Sequence, residues 1–284
     1  MKKSEMTIKI EDMEKRGLSF CDEFFLLRQI PPVLRARGFR LYLSNRKRLV
    51  DLWLNGGAAV LGHTPANILR EIKNTASRGL YAPFPHFTEG RYLKALQKIF
   101  PGRSFRLYAA PPQELVSLFH SGNAKLWRPF NYSPIAADET SFLVPVIPGI
   151  QTWHNGLPAG LCIAAAESED LLTQLPPSDI LSPILFAAAA RGIYDLLASP
   201  QRGKPELQRV KKALKISDKP CRWKSCGIYL TLKENPNVNE YAAIFHQFLD
   251  AGFLLPPVST HPLILPGELS AGEDAKLAAA LTGF

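Results

Sequence analysis

With 284 residues, 46% of them hydrophobic, the chain is long enough to bury one large core or two ordinary ones and is a globular protein. No apolar run reaches the roughly 20 residues of a membrane-spanning helix. The charged start MKKSEMTIKIEDMEKRG lacks the apolar core of a signal peptide, so a cytoplasmic location is expected. The net charge of +9 is concentrated early: residues 1–105 hold 19 Lys and Arg against 9 Asp and Glu, whereas residues 106–200 hold 4 against 8.

Residues 38–54, GFRLYLSNRKRLVDLWL, alternate apolar and polar positions on either side of Ser44-Asn45-Arg46-Lys47, which predicts a β-hairpin. Its basic residues, Arg35, Arg37, Arg40, Arg46, Lys47 and Arg48, then fall on a solvated face and turn. No helix-turn-helix, RNP-like aromatic run or zinc finger accompanies them, so nucleic acid is not the expected partner, and a basic nucleic-acid-binding protein is kept as an alternative reading.

After Gly56-Gly57, Thr64 and Pro65 suit a helix start. Ile68, Leu69, Ile72 and Ala76 share one face, and Gly79 provides a stop. A second helix is predicted after Thr88, with Leu93, Leu96 and Ile99 inward, ending at Pro101-Gly102. FLVPVIPG and GLCIAAA read as short buried strands. Ser182-Pro183 opens a helix to 199 that is apolar nearly all round and so expected to be buried. A surface helix at 205–215, a strand at 226–233 and a helix at 239–250 stopped by Gly252 follow. Ser270-Ala271-Gly272-Glu273 has the form of a capping box. The four cysteines, Cys21, Cys162, Cys221 and Cys226, include no CxxC pair, so reduced thiols and no metal site are expected. His120 and Ser117 have no third orienting carboxylate placed by any pattern, and neither a Walker A segment nor GxGxxG is present.

Three stretches resemble one family. Gly38, Val50, Asp51, Leu52, Gly57, Leu61, Gly62 and His63 match in order and spacing the opening of the class III, ornithine and glutamate-semialdehyde type, aminotransferases. CGIYLTLK, AGFLLPPV and HPLILPGELSAGEDAKLAAAL are similar to that family's carboxy-terminal small domain. PGIQTWHNGLPAGLCIAA is similar to the segment around the family's cofactor lysine. The resemblance implies an α/β fold of the pyridoxal-phosphate-dependent transferase kind. It would have a reduced large domain at 105–200 and a small α+β domain built from both ends, 1–104 and 201–284.

Aligning Gly156, Leu157, Pro158 and Gly160 with the family's glycines and proline places Gln151 at the lysine position, and no lysine lies between Lys125 and Lys204. The family lysine holds pyridoxal phosphate as a Schiff base and shuttles a proton, and a glutamine amide, which is not basic, does neither. The resemblance therefore implies a degenerate protein without transaminase activity. No bound cofactor is expected, although pyridoxal phosphate is the family cofactor. Gln151, Trp153, His154 and Asn155 are the ligand-binding candidates, His154 because imidazole carries protons near neutral pH.

Ser178 falls on the family's phosphate-binding threonine, which reaches a neighbouring subunit. The phosphate-binding helix start that should follow FRLYAA is replaced by Pro111-Pro112. Asp138-Glu139 has the form of the carboxylate pair that meets the pyridine nitrogen, but it is closer to Gln151 than the family spacing and is set aside. A homodimer is implied, with a heteromer containing a complete aminotransferase as the second arrangement. An active pyridoxal-phosphate enzyme acting on an amino acid or semialdehyde is the alternative function.

Overall fold

The structure is a computed structural model that describes residues 24–130, 141–148, 153–154, 157–158, 161–165, 169–198, 208–215 and 222–283. The chain divides into two compact units, Met1–Gly56 with Arg202–Phe284, and Gly57–Gln201.

The first unit opens with β1 (Val33–Arg37), β2 (Arg40–Leu43) and β3 (Arg48–Asp51), each antiparallel to the next. The expected hairpin is β2–β3, and β1 adds a strand to it. Leu41, Leu43 and Leu49 point into the core because alternate residues of a strand share a face. Beyond β3 the Asp51 carboxylate accepts from the N–H groups of Trp53 (2.8 Å) and Leu54 (3.0 Å). A left-handed turn follows, with φ of 47° at Leu54 and Asn55 and 64° at Gly56. A leucine there costs roughly 1–2 kcal/mol, which its full burial and the Asp51 bonds offset.

The second unit comprises α1 (Ala66–Ala76), α2 (Phe87–Ile99), β4 (Ser104–Tyr108), α3 (Gln113–His120), β5 (Ala124–Leu126), β6 (Ser141–Pro145), β7 (Trp153–His154), β8 (Leu157–Pro158), β9 (Leu161–Ala165), α4 (Glu169–Thr173) and α5 (Pro183–Ala198). Its sheet has the order β4-β9-β6-β5, with only β5–β6 parallel.

Helices cover both faces of that sheet. Leu107 and Val144 pack with Tyr92 and Leu96 of α2 and Phe186, Ala189 and Ile193 of α5. On the opposite face Tyr108, Leu143 and Ile163 pack with Leu115 and Val116 of α3 and the half-buried Leu171 and Leu172 of α4. This three-layer arrangement buries the nearly all-apolar α5, as its sequence predicts. Segment 57–104 packs within this second unit.

Two expected caps differ from the prediction. The residue at the start of α1 is Pro65, without a side-chain hydrogen bond, so Thr64 does not cap. Helix α2 begins at Phe87, two residues earlier than expected, and its cap is the His86 ring, which accepts from the Thr88 N–H. Leu69, placed on the apolar face of α1, is 40% exposed.

The chain returns to the first unit with α6 (Gln208–Lys215), β10 (Trp223–Cys226), β11 (Tyr229–Leu232), α7 (Val238–Ala251), β12 (Phe253–Leu254), β13 (Leu263–Ile264) and α8 (Ala271–Thr282). Here the single strand predicted at 226–233 is two antiparallel strands, because Gly227 at φ 61° turns the chain between them. β12 runs parallel to β3, and β13 joins β11. Helix α7 carries a capping box from Asn237 to Glu240 and stops at Gly252, φ 95°. The predicted box from Ser270 to Glu273 opens α8.

Candidate functional site

Of the residues expected to carry chemistry, Ser178 lies beside β4, the edge strand of the second unit's sheet. Gln151, Asn155 and the Asp138-Glu139 pair lie outside the described residues. Trp153 and His154 form β7, paired antiparallel with β8 in the register Trp153 to Pro158 and His154 to Leu157. Ser117 donates its hydroxyl to the Gln113 carbonyl (2.9 Å), a bond within its own helix.

Ser178 lies against the end of β4. Its Oγ accepts from the Leu107 N–H (3.2 Å), and the next residue, Asp179, both donates its N–H to the Leu107 carbonyl (2.8 Å) and accepts from the Ala109 N–H through its carboxylate (2.8 Å). The Tyr108 hydroxyl donates to the Pro176 carbonyl at 2.7 Å. Four hydrogen bonds thus clasp the turn at 176–179 to the strand end, across about 70 residues of sequence. Ser178, matched by the family resemblance to a phosphate-binding threonine, is here engaged with the Leu107 backbone. Asp179 was missed, although an Asp after Pro and Ser is a usual turn residue.

Arg106 was missed as well. It sits in the apolar alternation of β4, paired with Ile163, and so shares the sheet face of Tyr108 and Ile163. Its Nε is buried and has no hydrogen-bond partner among the described residues. A charge on an otherwise apolar strand was the available signal.

A phosphate group needs several N–H donors or cations converging on it. At the β4–α3 turn the Ala109 N–H is taken by a carboxylate, and Pro111 and Pro112 have no N–H to give. Helix α3 starts without a side-chain cap and carries Glu114 in its first turn. The turn therefore does not fit a phosphate. On this face Arg106 carries a buried Nε–H that finds no acceptor among the described residues.

No protein-family model matches the chain. An uncharacterized protein of Treponema pallidum (strain Nichols) is 30% identical over 295 residues, covering 85% of this chain and 91% of that one. An uncharacterized protein of Borreliella burgdorferi is 25% identical over 254 residues, covering 87% and 89%.

Among solved structures, an ornithine aminotransferase from Plasmodium yoelii superposes with a TM-score of 0.62 at 13% identity, covering 96% of this chain and 97% of that one. An omega-transaminase from Sphaerobacter thermophilus gives 0.61 at 10% identity, covering 89% and 90%. The Toxoplasma gondii ornithine aminotransferase, with pyridoxal phosphate partly occupying its active site, gives 0.60 at 10% identity, covering 97% of each. The fold is thus the one expected, that of the class III aminotransferases.

The expectation of no cofactor is overturned by the same comparison, since an enzyme of this fold holds pyridoxal phosphate. That expectation rested on Gln151 at the lysine position, on Pro111-Pro112 at the phosphate turn and on the carboxylate pair set too near, and a protein can hold a ligand through groups other than these. Among the described residues no helix is long and apolar enough to cross a membrane.

Proposed function

We propose, for a chain that belongs to the same family as the Treponema pallidum protein and shares the aminotransferase fold, that it is an aminotransferase-like protein that does not transaminate. The observation that carries this reading is the absence of any lysine between Lys125 and Lys204, with Gln151 at the matched position. Without a primary amine the carbonyl cofactor cannot be held covalently there, and the proton carrier of the family reaction is missing.

Pyridoxal phosphate is the first ligand to present, because the Toxoplasma enzyme holds it. Arg106 supports an anionic ligand on its side of the sheet. Gln151, Trp153, His154 and Asn155 remain the candidates for contact with such a ligand, and Ser178 a hydroxyl beside it.

A homodimer is part of the reading. Tyr81, Phe84 and Phe87 are 67%, 50% and 63% exposed within one short segment running from the α1–α2 connection into the first residue of α2, and aromatic surface of this kind is what association covers.

The test mixes the purified chain with pyridoxal phosphate, a panel of amino-acid donors and a 2-oxo acid, then traps carbonyl adducts with borohydride for mass spectrometry. No amino-group transfer and no adduct confined to one lysine are expected. Turnover together with a stoichiometric adduct on a single lysine would overturn the reading. Sedimentation across micromolar concentrations is expected to give a dimer, and Phe84→Asp with Phe87→Asp a monomer.

A further inference from the structure

The basic amino-terminal hairpin takes no part in the site above. From Phe24 to Val50 the sequence contains seven basic residues, Arg28, Arg35, Arg37, Arg40, Arg46, Lys47 and Arg48, and no Asp or Glu. The strand register sorts them. Arg35 pairs with Tyr42, and Tyr42 with Arg48, so these three form one row across β1, β2 and β3 on the face opposite Leu41, Leu43 and Leu49. Arg37 and Arg40 form the next row. The Arg35 guanidinium lies over the Tyr42 ring, 4.2 Å from its centroid.

Only part of this charge is met inside the protein. Glu273 receives Arg40 through two oxygens, at 2.6 and 3.0 Å, and touches Arg48 at 3.3 Å, while Arg48 stays 53% exposed. Arg35, Arg37, Arg46 and Lys47 are exposed, and none of them is in an ion pair among the described residues. The strand β1 that presents Arg35 and Arg37 is the outer strand of its sheet among the described residues.

We infer that this sheet face is a binding surface for single-stranded nucleic acid. Two ingredients are required of such a surface, cations that follow the phosphates and planar groups on which bases stack, and guanidinium planes serve the second purpose as aromatic rings do. The Arg35–Tyr42 stack supplies the plane. Arg37 and Arg48 supply cations on the same face, and Arg46 and Lys47, in the turn between β2 and β3, add charge at its end. An acidic peptide would use the cations and have no use for the stacked ring, which is why the nucleic acid is the better occupant. The charge without a motif, which did not point to nucleic acid from sequence alone, gains its second ingredient from the strand register. This inference is independent of the aminotransferase reading.

The experiment follows fluorescence anisotropy of a labelled 20-nucleotide oligo(U) titrated with the full chain at 50 and 200 mM KCl. Binding that weakens steeply with salt is expected. Arg37→Glu with Lys47→Glu is expected to lower the affinity at least tenfold and flatten the salt dependence, and Tyr42→Leu to lower it roughly fivefold or more at unchanged charge. Thermal melts confirm that each variant is folded, and Lys47→Glu alone, in an exposed turn, serves as the second variant should the pair not fold. The inference is overturned by absence of binding at 50 mM KCl. It is equally overturned by a Tyr42→Leu variant that binds as the wild type does, or by polyglutamate or a duplex of equal length competing as well as unlabelled oligo(U).

Discussion

Glu273 on α8 and Arg40 on β2, separated by 233 positions, form a two-pronged ion pair while the same carboxylate closes the capping box with Ser270. One side chain therefore joins the amino-terminal sheet to the last helix. Arg40 chiefly, with Ser270 helping, holds the carboxyl down to about 2 from an ordinary 4.5. A carboxylate depressed on folding contributes stability that is complete above pH 4.5 and is lost as pH falls toward 2. Glu273→Gln is expected to lower stability by about 1–2 kcal/mol at pH 7. Urea melts of the two proteins at pH 7 and pH 2.5 check this, since the gap between them should shrink at the lower pH.

Gly192 on α5 faces the backbone of Ile147, and a Cβ there would lie 2.0 Å from the Ile147 carbonyl oxygen. Gly192→Ala must push the helix off the sheet and is expected to cost about 3 kcal/mol. Gly90 on α2 has nothing within 4 Å of the same position. Gly90→Ala is expected to stabilise by about 0.5–1 kcal/mol, through helix propensity alone. A pair of thermal melts with opposite signs is the predicted outcome.

Asp274 accepts from the N–H groups of Arg209 and Val210, both at 3.2 Å, so α8 supplies the cap for the first turn of α6. Asp274→Ala leaves those donors unmet, and a loss of about 1–2 kcal/mol is expected. Hydrogen exchange should show it first at Val210 and its helical neighbours.

Arg106→Met removes a buried N–H that has no acceptor while keeping the aliphatic stem. Without ligand the variant is expected to be more stable than the wild type by about 1 kcal/mol. Millimolar pyridoxal phosphate should raise the melting temperature of the wild type and leave that of the variant unmoved. Equal shifts in both would show that Arg106 does not meet the ligand.

Elements whose signals close within a few residues were legible before any fold was known. Ser270 and Glu273 make their reciprocal bonds inside one turn, Gly252 ends α7 through its own left-handed backbone, and Pro183 opens an apolar α5 that has to be buried. That residues 126–203 contain no lysine is likewise read directly from the sequence. Tertiary structure decided what depends on partners far along the chain. Asp179 finds the Ala109 N–H across 70 positions, Arg35 reaches Tyr42 only because β1 pairs with β2, and 57–104 packs with the second unit because Tyr92 and Leu96 meet Phe186 and Ile193. Local hydrogen bonds are chosen by neighbouring residue types, whereas a long-range contact is chosen by which apolar faces can be buried together, and no short window of sequence holds both faces.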